Sequence, residues 1–204
     1  MIAADVPSNE IGGAPENLTN PPQMRVFVGL RIAPEIAGEL ARLARGLEGS
    51  SVRFISTADV HLTLVPPWNE ASVVEAIERL RGVASRCDAF SLTFQHLSYG
   101  PVPRRPRLLW VECAVSDDIA ALQSALVEAF WQKDERPFRP HVTLARIRGN
   151  GQAIARKHPI DLELSLIQRV ESIELFQSPP PGASGYQVLA SLQLGRTPHS
   201  VPTT

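Results

Sequence analysis

The chain has little that would hold it together or carry charge from outside its own core. Its 204 residues include two cysteines, Cys87 and Cys113, which stand alone without metal-ligand spacing. Two thiols in a chain of this size are no disulfide scaffold, so a reduced, cytoplasmic setting is expected. No apolar run approaches the roughly 18 residues needed to cross a bilayer, so no membrane association is expected. The start lacks a charged segment followed by an apolar one, as a secretory signal would have. The net charge of −1 excludes a broadly basic, nucleic-acid-coating protein but leaves room for a local basic cleft. Neither G-x-x-x-x-G-K nor a helix-opening G-x-G-x-x-G is present, which removes the usual phosphate-cradling loops. No G-x-S-x-G turn supports a Ser-His-Asp triad.

What is present is a repeated pattern. His61-Leu62-Thr63-Leu64-Val65 is matched by His141-Val142-Thr143-Leu144-Ala145-Arg146, about half a domain later. Each copy alternates polar and apolar residues, the period of a half-buried strand. His61 and Thr63 then share one face, and Leu62 and Leu64 the other. His141 and Thr143 stand in the same relation to Val142 and Leu144. Two such strands brought together present two imidazoles and two hydroxyls on one wet face, as an internal duplication would place them.

Taken in order, residues 1–23 are rich in Pro, Asn, Gly and Ala and read as a disordered extension. Residues 24–195 carry the folded pattern, and 196–204 read as a flexible tail. A strand from Met24 leads to a helix opened by Pro34 and ended by Gly49. A short strand, Val52-Arg53-Phe54-Ile55, precedes the first motif, and Pro66-Pro67 is expected to stop pairing there. A helix from about Glu70 to Arg86 follows. Strands are expected at Phe90-Ser91-Leu92-Thr93-Phe94 and from Leu108, then a helix capped by Ser116 or Asp117. After the second motif, two late strands run from about Ser165 to Gln177 and from Tyr186 to Leu194. The fold class is α+β: two lobes related by a pseudo-twofold axis, each an antiparallel sheet with outer helices, facing each other across a cleft.

The chemistry follows from what the motifs hold. Zinc takes three or four His, Cys or carboxylate ligands, and His96, His158 and His199 lie in contexts unrelated to the motifs, so no metal or other cofactor is expected. Two imidazoles without a metal suit acid–base catalysis at a phosphodiester: one takes a proton from water while the other gives one to the leaving oxygen. The threonine hydroxyls can donate to the non-bridging oxygens. Arg146 lies five residues past His141, so a regular strand would turn it to the wrong face; a bulge or twist is needed to bring it in. Phe54, Trp68 and Phe138 are possible base-stacking contacts, set against ordinary packing in the core. Arg104, Arg105, Arg107, Arg136 and Arg139 cluster in two loops expected to flank the cleft, either as solvated charges or as a local track for phosphates.

These residues resemble the two-histidine (2H) phosphoesterase superfamily, and within it the bacterial and archaeal RNA 2′,3′-cyclic phosphodiesterases, formerly called 2′-5′ RNA ligases. The likeness runs from about Met24 to Leu194. It includes Arg25-Val26-Phe27-Val28, the segment from Pro103 to Trp110, the run from Arg136 to Arg146, and Tyr186-Gln187-Val188-Leu189. The resemblance implies a bilobal fold and metal-free hydrolysis of an RNA-terminal 2′,3′-cyclic phosphate to a 2′-phosphomonoester. It also implies His61 as proton donor to the leaving 3′ oxygen and His141 as the base that activates water. Thr63, Thr143 and Arg146 would hold the phosphate, with Phe54, Trp68, Phe138 and Arg139 as possible substrate contacts. Relatives usually follow the first motif with a basic or polar residue, an aromatic and Leu-Gly; Val65-Pro66-Pro67-Trp68 stands here instead and alters that rim of the cleft. The expected partner is an RNA end or a small cyclic nucleotide, met by a monomer. The alternatives are phosphodiesterase action on a small cyclic nucleotide, 2′-5′ RNA ligation by the reverse reaction, and a non-catalytic module that binds RNA ends.

Overall fold

Thirteen strands and α-helices follow one another in the computed structural model, which describes residues 23–132, 137–180, 183 and 185–195. The expected N-terminal extension up to residue 22, Arg136 and the expected tail lie outside the described residues. The elements run β1 Met24–Arg31, α1 Pro34–Ala44, β2 Val52–Phe54, β3 His61–Glu70, α2 Val73–Ala84, β4 Phe90–Gly100 and β5 Leu108–Cys113. They continue α3 Asp117–Ala129, β6 His141–Ile147, α4 Gly151–Lys157, β7 Leu162–Val170, β8 Ser172–Gln177 and β9 Gln187–Gln193.

The strands form one sheet in the order β7-β4-β5-β6-β3-β1-β8-β9, with β2 added beside β6. Two antiparallel halves of four strands meet at its centre. There β3 and β6 share a single rung, Leu62 opposite Val142. Each of these residues directly follows a motif histidine, so the pseudo-twofold axis of the expected architecture runs through this pair.

The helices cover one face. In α1, Ala37, Leu40 and Ala44 are buried; in α2, Ala76, Leu80, Val83 and Ala84; in α3, Ile119, Leu122 and Leu126. Ser72 and Ser116 cap α2 and α3 by accepting from the N–H of Glu75 and Ile119, each satisfying a donor the helix leaves open. Leu62, Leu64, Val142 and Leu144 join this core, which fixes His61, Thr63, His141 and Thr143 on the opposite face. Phe27, Trp110 and Phe176 are also buried but belong to no part of that core; they floor the other face.

Three features differ from the expectation. β3 does not stop at Pro66-Pro67 but continues to Glu70. The two prolines fall in a bulge between the Val28–Val65 and Val26–Trp68 rungs, where a missing N–H costs no ladder bond. The late strand expected from Ser165 to Gln177 is two strands in different halves of the sheet, parted at Glu171. Helix α4 is an addition to the expected elements, because its apolar residues, Ala153, Ile154 and Ala155, are too few for a helical stripe; Asn150 caps it.

Candidate active site

Both motif strands carry the same irregularity at the same place. In β6 the register against β5 passes from Thr143–Trp110 to Ala145–Leu109, leaving Leu144 as the extra residue. In β3 the register against β1 passes from Thr63–Gly29 to Val65–Val28, leaving Leu64 as the extra residue. A bulge shifts the side-chain period by one. Leu64 and Val65, like Leu144 and Ala145, are therefore buried in succession. The fifth residue past each histidine returns to the face it would otherwise leave. On β6 that residue is Arg146, so it joins His61 and Thr63 around a cleft of about 320 Å³. On β3 the equivalent position is Pro66.

His61 and His141 are held alike at one nitrogen. The Nδ1 of His61 lies 2.7 Å from the carbonyl oxygen of Asp59, and that of His141 lies 2.7 Å from the carbonyl oxygen of Arg139. A carbonyl only accepts, so each Nδ1 carries the hydrogen and each Nε2 is the nitrogen that titrates. With Leu62 opposite Val142, the two histidines are diagonal neighbours across the seam, a separation of about 7–8 Å on a regular antiparallel pair.

Their surroundings differ. His61 is enclosed by Phe27 at 4.9 Å, Tyr186 at 4.8 Å and Phe176 at 5.7 Å between ring centroids. Phe27 and Phe176 stack at 4.8 Å, and Tyr186 stands edge-on to both Phe27 and His61. His141 has the Trp110 ring beside it at 4.5 Å, over which the Arg139 guanidinium lies at 5.2 Å. Arg139 in turn pairs with Glu112 at 2.8 Å.

Burial lowers the pKa of His61 below its ordinary 6.5, and the positive charge of Arg146 and of His141 pushes it the same way. The Asp59 carbonyl and carboxylate oppose this. His141 is also lowered, first by burial and then by the Arg139 guanidinium, against the Arg139 carbonyl and the Glu112 carboxylate. Both imidazoles are thus biased toward the neutral form. Among the described residues no group of three His, Cys, Asp or Glu is placed to hold a metal ion.

The expected substrate contacts divide. Phe54 is 39% exposed and borders a hollow of about 250 Å³ that shares Arg146 and Tyr186 with the cleft. Arg139 sits beside His141 through Trp110. Trp68 is a correction: its ring packs 5.0 Å from Phe130 on the helix-covered face, and its N–H donates to Glu70, because the double-proline bulge turns it inward. Phe138 is half-buried and packs against the hydrophobic core. Arg104, Arg105 and Arg107 line a separate hollow of about 920 Å³ by Asn150 and Gln152.

Several residues of the site escaped the sequence reading. Arg25 and Phe27 line the cleft from β1, and Tyr186 from the residue just before β9. The alternation Arg25, Phe27, Gly29, Arg31 is the available signal, and the buried valines on either side of Phe27 mask it. Gly29 sits where a Cβ would meet the Leu62 carbonyl oxygen at 2.5 Å, so the first motif packs directly on β1 there.

A family model described as the 2′-5′ RNA ligase superfamily matches residues 32–175. An RNA 2′,3′-cyclic phosphodiesterase of Aeropyrum pernix is 29% identical over 159 residues, covering 70% of this chain and 87% of that protein. One of Bacillus subtilis is 29% identical over 129 residues, covering 59% of this chain and 69% of that protein. A crystal structure from Thermus thermophilus superposes with a TM-score of 0.72 at 21% identity, over 86% of this chain and all (100%) of that one. Escherichia coli LigT complexed with 3′-AMP superposes with a TM-score of 0.67 at 22% identity, over 84% and 98%. These two structures share the fold. With most of its length matched by the family model, the chain belongs to the 2′-5′ RNA ligase superfamily.

Proposed function

We propose that the protein hydrolyses the 2′,3′-cyclic phosphate at an RNA end to a 2′-phosphomonoester, without a metal, and that residues 24–195 form the catalytic unit. The observation that carries this reading is the pair of histidines on one sheet face, diagonal across the Leu62–Val142 rung, each with Nδ1 tied to a backbone carbonyl. Relatives that bear the name RNA 2′,3′-cyclic phosphodiesterase support the substrate class.

In the proposed reaction, His141 Nε2 takes a proton from water as the water oxygen bonds to phosphorus. The bond from phosphorus to the 3′ oxygen breaks, and His61 Nε2–H gives its proton to that oxygen. The Thr63 and Thr143 hydroxyls and the Arg146 guanidinium donate to the non-bridging oxygens, where charge builds. The chemistry needs one neutral and one protonated imidazole. Burial and the nearby arginines favour two neutral ones in the free protein, and the anionic phosphate offsets this by favouring a proton on one ring.

The test is product formation from an oligoribonucleotide with a 2′,3′-cyclic phosphate end, in the presence of EDTA. A 2′-phosphate product supports the reading. Activity lost to the chelator and restored by a divalent ion would make the protein a metallohydrolase. Tight binding without product would make it a module that holds RNA ends.

A further inference from the structure

Arg53 and Arg146 are direct cross-strand partners on β2 and β6. Like charges placed opposite each other on a sheet repel, with their Cβ atoms about 5 Å apart. Ordinarily a carboxylate beside them would relieve this. Among the described residues neither arginine has a carboxylate within ion-pair distance, and both line one hollow, which keeps the two charges together. The carboxylate that does border the same hollow belongs to Asp59, and its Oδ1 accepts the Tyr186 N–H at 3.0 Å. Among the described residues the hydrogen bond of the Arg53 side chain is a long one, 3.5 Å, to the Ala183 carbonyl oxygen. The rung is therefore a local cost to the fold that an anion would remove.

Position says which anion. The hollow that Arg53 lines opens from the catalytic cleft and shares Arg146, Pro179 and Tyr186 with it. A phosphate centred between the histidines engages Arg146, and the next anion along an attached chain reaches Arg53. In an RNA with a cyclic phosphate end, that anion is the phosphodiester on the 5′ side of the terminal nucleotide. We infer that Arg53 is a binding residue for this second phosphate, so that the site takes an oligonucleotide end in preference to a mononucleotide. The inference rests on the reading of the cleft as a site for RNA ends, but binding tests it separately from turnover.

The experiment compares the affinity for a ribodinucleotide ending in a 2′-phosphate with that for a nucleoside 2′-monophosphate, by calorimetric titration across a salt series. The wild-type protein should bind the dinucleotide about 10-fold more tightly, the size of one charge-assisted hydrogen-bonded contact. Arg53→Ala should remove most of that advantage and make the salt dependence shallower by about one unit of log–log slope. Arg53→Lys should keep part of it and guards against a misfolded alanine variant. The double variant R104A/R105A, in the separate hollow, should keep the advantage. Equal wild-type affinities, an advantage that survives in Arg53→Ala, or one that disappears in R104A/R105A would each overturn the assignment. If both ligands bind as expected but the cyclic ends are never hydrolysed, the hydrolase reading falls and the second phosphate site stands.

Discussion

Leu62 and Val142 face each other across the single rung that joins β3 to β6, and each is preceded by a histidine. The geometry between the two imidazoles is thus set by one backbone pair and by the core packing of two side chains that are fully buried. A substitution on the covered face should therefore shift the two imidazoles relative to each other through this pair.

Replacing either histidine with alanine should lower the hydrolysis rate by about 10²–10⁴-fold, the usual size of a general acid or base contribution. The double variant should be little worse than the worse single one, because the rings act as a unit. Far-ultraviolet circular dichroism should stay unchanged, since neither imidazole belongs to the core. Additive losses would mean that the rings act separately.

Both histidines are lowered from 6.5, so the free protein's profile of kcat/KM against pH should have its maximum on the acidic side of that value. The same shifts bear on stability. Below pH 6.5 the unfolded chain binds protons at these positions that the folded chain resists, so stability falls as pH falls from that point. Urea denaturation of the wild-type protein and of His61→Gln between pH 7 and 5 checks the sign. The wild-type curve should drop more steeply, and a steeper drop in the variant would contradict the assignment.

Arg146→Ala should reduce kcat/KM by about 10²-fold, as expected for one preorganised donor to the developing charge. Arg146→Lys should recover only part of this, because an ammonium cannot offer the two-pronged donor geometry. Deleting Leu144 is the sharper measurement. It straightens the strand while Arg146, now the fourth residue past His141, keeps the cleft face, so kcat/KM should fall less than in Arg146→Ala; a loss as large as the alanine variant's would mean that the guanidinium acts only from the bulged position.

Gly29→Ala places a Cβ 2.5 Å from the Leu62 carbonyl oxygen, against backbone that can move only by shifting the catalytic strand. It should cost about 1–3 kcal/mol and lower activity together with stability. Gly38→Ala is the counterpart. In helix α1 its Cβ meets nothing within 4 Å, and it should raise stability by about 0.5–1 kcal/mol through helix propensity. Thermal unfolding of the two variants tests both signs.

Trp68→Ala should cost about 3 kcal/mol by emptying the space against Phe130, and kcat/KM measured well below its melting temperature should match the wild type. A selective rise in KM would return Trp68 to the substrate.

Much of the site could be read from the chain because the motif strands bury only one face, which leaves a period of two in the residues. That period placed His61, Thr63, His141 and Thr143 together. It misplaced Arg146, although the cue was present: alternation breaks at Leu64-Val65 and again at Leu144-Ala145, where two apolar residues follow each other. β1 gave no such cue. It is covered on both faces, so the valines beside Phe27 mask the alternation Arg25, Phe27, Gly29, Arg31 that puts this ring under an imidazole. Trp68 was misread because Pro66-Pro67 looked like a terminator and acted as a bulge.

The twin strands part company five residues beyond their histidines, where one carries Arg146 and the other Pro66. An undivided duplicate would let a bound anion sit either way round with equal ease. Arg146 on one strand, with Pro66 at the matching place on the other, gives the pair of repeats handedness, so in the proposed reaction the attacking and departing oxygens would fall to fixed rings.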